Sequence, residues 1–217
     1  EGWVHVGTTL NGRRQPWASW LSVGSPRVTA CQEGLAVLME TLTFSSYPRR
    51  ALKVSDRVVA VDMAEQGADF IEVYRYFSER GLKPADSYKI TQRVFRGGTL
   101  RGGSVFTKDL SYLKGFVENV NFIRSSIHSG VPEILPMLFV GKVTLDDIPI
   151  LYQHYLEGTI SGPHYIPEMN GLYVWFGFAS GISVINMARV QKHFHNLFSG
   201  MPKVAPLYDK VIDSAVD

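Results

Sequence analysis

Apolar positions recur along most of the chain at the three-and-four spacing of helices rather than the alternation of strands. Thr29-Ala30-Cys31-Gln32 sets a hydroxyl three residues ahead of a glutamine, the pattern of a capping box, and an apolar-rich run to Phe44 follows it. Ala68–Arg80 has helical spacing and stops at Gly81, while Asp86 is placed to cap a helix through Phe95 that ends at Gly97-Gly98. A long amphipathic run from Asp109 to Ile127 ends near Gly130, and Thr144-Leu145-Asp146-Asp147 opens a helix through Leu156 with Gly158 after it. Two further helical stretches are predicted between Gly171 and Phe198. Strand signals are few. The glycines of Arg96–Gly103 can turn a short hairpin, and Met137–Val143 can form a short extended piece. The expected fold is mainly α, one domain over 1–199, with a loosely packed tail over 200–217 that contains Pro202 and Pro206.

Composition narrows the function classes. Hydrophobic residues make up 45% and charged ones 19% of 217 residues, enough to bury a core and too apolar for a disordered chain. Lys and Arg number 22 against 20 acidic residues, and the net charge of +2 is too balanced for a nucleic-acid arm or a polybasic membrane anchor. The single cysteine, Cys31, excludes an internal disulfide framework and a multi-cysteine zinc or iron–sulfur site, and a reducing, cytoplasmic compartment is expected. Asn170–Ala188 carries no charge and approaches the length of a membrane span, but its glycines, serines and Asn186 favour a buried helix of a soluble protein. No signal-peptide pattern and no initiator Met is present, so Glu1 reads as the start of a fragment.

The first residues carry the clearest chemistry. Glu1 and His5 are four apart, one helical turn, and face the same way. A histidine before Glu1 would make the run HEGWVH, one residue longer than the zincin HExxH. At ~100° per residue, side chains four apart differ by about 40° around a helix, and those five apart by about 140°. Two histidines of the longer run can therefore share an ion only across a widened turn such as a π-bulge, and Gly2 is a place for one. Taken alone, Glu1 and His5 are equally a solvated helix pair. Glu33, within Gln32-Glu33-Gly34-Leu35-Ala36, is costly to bury alone, so it is either a carboxylate held by the helix dipole or a metal ligand.

Further residues have two readings each. Arg93 and Arg96 lie three apart at a helix end, with Lys108 as a third cation; they form a solvated basic face or a clamp for a carboxylate. Tyr112 is a core tyrosine or a hydrogen-bond donor to a developing oxyanion. Asn11 and Gln15 are expected to cap a helix, and Trp17 and Trp20 to lie in the core. His193 and His195 alternate around a helix and cannot share an ion on regular geometry, His128 sits at a helix end, and His154 and His164 show no evident partner. No phosphate-binding loop or GxSxG nucleophile elbow occurs.

Five motifs occur in order: HVGTTLNGRRQP (His5–Pro16), QEGLA around Glu33, RVFRGG (Arg93–Gly98), FTKDLSYLKG (Phe106–Gly115) and LFVGK (Leu138–Lys142). Together they resemble the QEGLA-motif family, known in bacteria as flavohaemoglobin-expression-modulating proteins and related to the eukaryotic microtubule-associated tyrosine carboxypeptidases. The resemblance runs from about Glu1 to Phe198. It implies the helical portion of a zincin-like metallopeptidase domain, with Glu1 as general base and His5 and Glu33 as zinc ligands. It further implies a carboxypeptidase acting on a peptide or protein C-terminus, with Tyr112 on the oxyanion and Arg93, Arg96 and Lys108 on the substrate carboxylate. No nucleic-acid or membrane partner is expected. The family's first histidine would precede Glu1, so the chain as given is expected to hold zinc poorly and to be inactive. The alternative is a non-catalytic regulatory protein that affects flavohaemoglobin expression.

Overall fold

The computed structural model describes residues 2–43, 45 and 48–167, with the backbone alone for 48–52. Glu1, the uncharged run after Asn170, His193, His195 and the tail from Gly200 lie outside the described residues. Those described form a mainly helical architecture with no strand among them. A π-helical turn over Gly2–Val6 leads into α1 (Gly7–Arg13), followed by α2 (Thr29–Leu42), α3 (Pro48–Glu65), α4 (Phe70–Glu79), α5 (Pro84–Val94), α6 (Leu110–His128) and α7 (Ile148–Leu156). No described helix is long and apolar enough to cross a membrane.

Helix boundaries follow local chemistry, not always the expected residue. Asp69 caps α4 through a reciprocal capping box with Glu72, and Gly81, at φ +80°, ends it. Thr144 and Asp147 make a second such box ahead of α7. Thr29 is the first residue of α2 rather than its cap, and its hydroxyl makes no capping bond; Gln32 is buried against α1 instead. Asp86 likewise sits inside the first turn of α5, which starts at Pro84, whose missing N–H costs nothing there. Helix α3 likewise opens with a proline, Pro48, at its first helical position. Val58, Val59 and Val61 would suit a strand, but Val54, Ala60, Val61 and Ala64 fall on one helical stripe and are buried.

Two apolar clusters organise the described residues. The larger joins the α1 turn, α2, α6, α7 and the segment 131–148, with Leu35, Phe122, Ile134, Phe139 and Ile148 at its centre. The smaller joins α3, α4 and α5 around Val61, Val73, Phe77 and Phe95. Met137–Val143 is not extended: Pro132–Phe139 winds as a 3₁₀ helix with Pro136 inside it, and Met137 to Val140 are buried. A strand there would leave an unpaired edge, and Pro136 has no N–H for a ladder. The Arg96–Gly103 segment is a set of turns with Gly97, Gly102 and Gly103 at positive φ, not a hairpin.

The tightest joint is the crossing of α2 and α6. A Cβ on Gly34 would lie 1.9 Å from the carbonyl carbon of Gly115, and one on Gly115 would lie 1.7 Å from the Ala30 oxygen. The glycines of QEGLA and of FTKDLSYLKG are thus one contact, in which two backbones touch. Next to it Asn119 donates to the Cys31 carbonyl at 3.0 Å. Burial pushes the Cys31 thiol up to about 12, with the Glu118 carboxylate adding to the shift. A thiol held protonated inside a helix crossing is unreactive. Alkylation of Cys31 at pH 8 is therefore expected to follow global unfolding, and fast labelling of the folded chain by a maleimide would contradict this packing.

Candidate functional site

The widened turn arises where Thr8 and Thr9 follow His5. The Thr8 hydroxyl bonds the Val4 carbonyl, and the Thr9 hydroxyl donates to the His5 carbonyl at 2.7 Å. Such back-bonding to the carbonyl four residues earlier competes with the regular ladder and bends helices. Gly2 is within the turn, but a Cβ there would meet open space, so no steric need for glycine exists at that position. Thr8, fully buried, also bonds the Gln32 side chain at 3.0 Å, tying the turn to α2 one residue before Glu33.

This link brings His5 and Glu33 together. His5 Nε2 lies 3.7 Å from Glu33 Oε2, beyond hydrogen-bond distance. Lys108 Nζ lies 3.7 Å from the other carboxylate oxygen, Oε1. Lys108 stands in the short turn Thr107–Asp109 that leads into α6, and Tyr112 follows in the first turn of that helix. Burial pushes the Tyr112 phenol above its usual range, and the negative charge of Glu33 pushes the same way. The phenol therefore stays protonated at neutral pH and can donate.

Arg93, in the last turn of α5, is fixed by a residue the motif reading passed over. Its Nε and Nη2 donate to the carboxylate of Asp109 at 2.7 to 3.0 Å, and Asp109 is only 2% exposed. These bonds raise the Arg93 pKa, and they satisfy a buried charge that would otherwise be costly. Consecutive residues at the head of α6 thus point two ways, Lys108 to Glu33 and Asp109 to Arg93. The signal in the sequence was an acid beside a lysine at the head of an apolar helix. Arg96 makes no ion pair with Glu33; its guanidinium and that of Arg93 lie 5.7 and 5.5 Å from the centre of the Phe106 ring.

Other expectations are corrected. Trp17 and Trp20 are 82% and 65% exposed, outside the core, because α1 ends at Arg13 and the chain runs over the surface there. Asn11 and Gln15 are buried staples more than caps. Asn11 donates to the Phe139 and Tyr165 carbonyls at 2.7 and 2.9 Å and accepts from the His164 and Tyr165 N–H groups. Gln15 exchanges two hydrogen bonds of 2.9 Å with the Ser161 backbone, and only its 3.3 Å contact with the Asn11 carbonyl resembles a cap. His154 does have a partner, Glu157 at 3.4 Å, and the exposed His164 ring meets Tyr165 edge-on.

His5 and Glu33 suit two positions around a zinc ion. Two ligand atoms on one tetrahedral zinc lie ~3.4 Å apart, close to the observed 3.7 Å, and imidazole with carboxylate is a usual donor pair. No three His, Cys, Asp or Glu side chains converge among the described residues, and a catalytic zinc site uses three protein donors.

Residues 1–183 match a carboxypeptidase family model, which sets the chain in that class. The family is that of the microtubule-associated tyrosine carboxypeptidase, and the chain belongs to it. No curated protein and no solved structure matches the chain.

Proposed function

We propose that the chain carries the substrate-facing part of a zinc-dependent carboxypeptidase. The observation that supports this most is the approach of His5 to Glu33 across a widened turn, 3.7 Å apart. His5 and Glu33 would hold the metal, with a third donor from the family's histidine position before Glu1. Zinc, when bound, polarises a carbonyl and lowers the pKa of water.

The chain's own residues account for the remaining work. Glu1 takes the proton of the attacking water and passes it to the leaving amine. Tyr112, protonated at neutral pH, donates a hydrogen bond where the carbonyl oxygen gains charge. Arg93 presents its remaining N–H groups, Arg96 a second guanidinium and Lys108 an ammonium to the substrate's terminal carboxylate. Tyr112→Phe is expected to lower kcat by roughly 10²-fold with little change in KM, since the donor acts on charge that develops during reaction. An unchanged kcat would remove Tyr112 from the machinery.

One observation favours the non-catalytic, regulatory alternative. Glu33 already faces two basic side chains, His5 and Lys108, and so has partners without any metal. Elemental analysis decides between them. One zinc per chain in protein extended to carry a histidine before Glu1, with release of a C-terminal amino acid from peptides, supports the peptidase. No metal after zinc addition supports the regulatory protein.

A further inference from the structure

The chain between α1 and α2 presents an apolar ridge to solvent on a rigid base. Positions 18 and 21 are buried while 17, 20 and 23 are exposed, the step of three that the 3₁₀ turn Ser19–Ser22 imposes. Trp17, Trp20 and Val23, the last 74% exposed, therefore share the outer side. The base beneath them is fixed. Leu21 is buried, its carbonyl accepts from the Lys142 N–H at 2.7 Å, and a Cβ on Gly12 would lie 2.4 Å from the Ser22 nitrogen. Turning the indoles inward would lift Leu21 out of the larger apolar cluster. Charge around the ridge has one sign. No acidic residue occurs between Glu1 and Glu33, whereas exposed Arg13 and Arg14 precede the ridge, exposed Arg27 follows it, and the Lys142 side chain lies beside Gly24. No ion pair among the described residues uses these three arginines. The net charge of +2 over the whole chain conceals this local excess.

We propose that this loop docks the protein on a membrane surface that carries anionic phospholipid. Neighbouring apolar side chains left in water mark an interaction site, and the chemistry of these favours lipid. An indole has an apolar body and an N–H tip, which suits the boundary between acyl chains and headgroups. A guanidinium fork pairs with phosphate and carboxylate, the two anionic groups of a lipid headgroup. The ridge is narrow and projecting. A protein partner holds such anchors in packed pockets within a broad patch, but here Ser19, Gly24 and Ser25 are the exposed neighbours and add little to grip. A soft surface that the side chains enter needs no such patch. The contact is peripheral, since no described helix is long and apolar enough to cross a membrane. It does not depend on the carboxypeptidase reading.

Co-sedimentation of the full chain with lipid vesicles tests this. Vesicles of phosphatidylcholine with about one third phosphatidylserine are expected to bind at least roughly 10-fold more tightly than phosphatidylcholine alone, and added salt should erase the difference. Arg13→Gln and Arg14→Gln should each weaken binding to the anionic vesicles by roughly 5-fold. The double variant Trp17→Ala/Trp20→Ala should lose binding to both vesicles, with a melting curve like that of the wild type because both indoles stand outside the core. Brominated acyl chains should quench indole emission in the wild type and not in that double variant. Absence of binding to anionic vesicles overturns the proposal. So does binding that neither the arginine nor the tryptophan variants change, which would place the lipid contact elsewhere on the chain. Capture of poly-glutamate without vesicle binding would assign the ridge to an acidic protein and overturn it equally.

Discussion

Glu33→Ala is expected to abolish stoichiometric zinc in a chain extended to carry a histidine before Glu1, whereas Glu1→Gln should keep the metal and stop hydrolysis. The two glutamates differ because one is proposed as a ligand and the other as a base. Removing one of three donors leaves a site that buffer competes for, and it also strips Lys108 and His5 of their shared partner. Glutamine at position 1 retains size and polarity but cannot accept the proton, and a general base contributes roughly 10²–10⁴-fold. Elemental analysis after dialysis, run beside an assay of amino-acid release, separates these effects. Equal zinc in the wild type and Glu33→Ala would remove the carboxylate from the ligand set.

Gly34→Ala is expected to have the largest effect on stability. The added methyl would stand 1.9 Å from the Gly115 carbonyl carbon, and a backbone cannot swing aside as a side chain can. Overpacking of this kind costs about 3 kcal/mol or more, which for a chain of this size lowers Tm by roughly 6–12 °C. Forcing α2 from α6 also parts Glu33 from Lys108 and Tyr112, so metal binding should weaken with the fold. Gly2→Ala is the matched control, since its Cβ meets nothing within 4 Å. A circular-dichroism melt in which both variants match the wild type would show that the helices are not in backbone contact.

Much of this architecture is legible in the chain because local chemistry decides it. The glycines at 81, 130 and 158 end helices at positive φ where the periodic pattern stops, and Thr144 with Asp147 opens the next one. Where tertiary contacts decide, the pattern misleads. Gln32 had the spacing of a cap residue, but its side chain is spent on Thr8, and Asn11 and Gln15 serve backbone groups more than a hundred residues away. Trp17 and Trp20 read as core by residue type alone, and type says nothing about where a surface loop runs. The widened turn was legible as a geometric need of the HExxxH spacing, yet the threonines that accompany it were not, because back-bonding leaves no periodic trace. The role of Asp109 is hidden for a similar reason: a buried ion pair joins α5 to α6 and leaves only one acidic letter in an apolar neighbourhood.

The staples of α1 also bear on the order in which the molecule can assemble. Asn11 and Gln15 reach partners at 139, 161, 164 and 165, separations of 128 to 154 residues. Until that far segment returns, two amide side chains buried in the native fold have only water to bond, and the helix behind His5 is a seven-residue piece too short to persist alone. Closing so long a loop carries an entropic cost, and proteins rich in contacts of this range fold slowly. The turn that presents His5 thus rests on contacts that close over more than a hundred residues as well as on the local Thr8–Gln32 link. A change in the 161–165 segment therefore reaches the turn that presents His5 although it touches neither His5 nor Glu33.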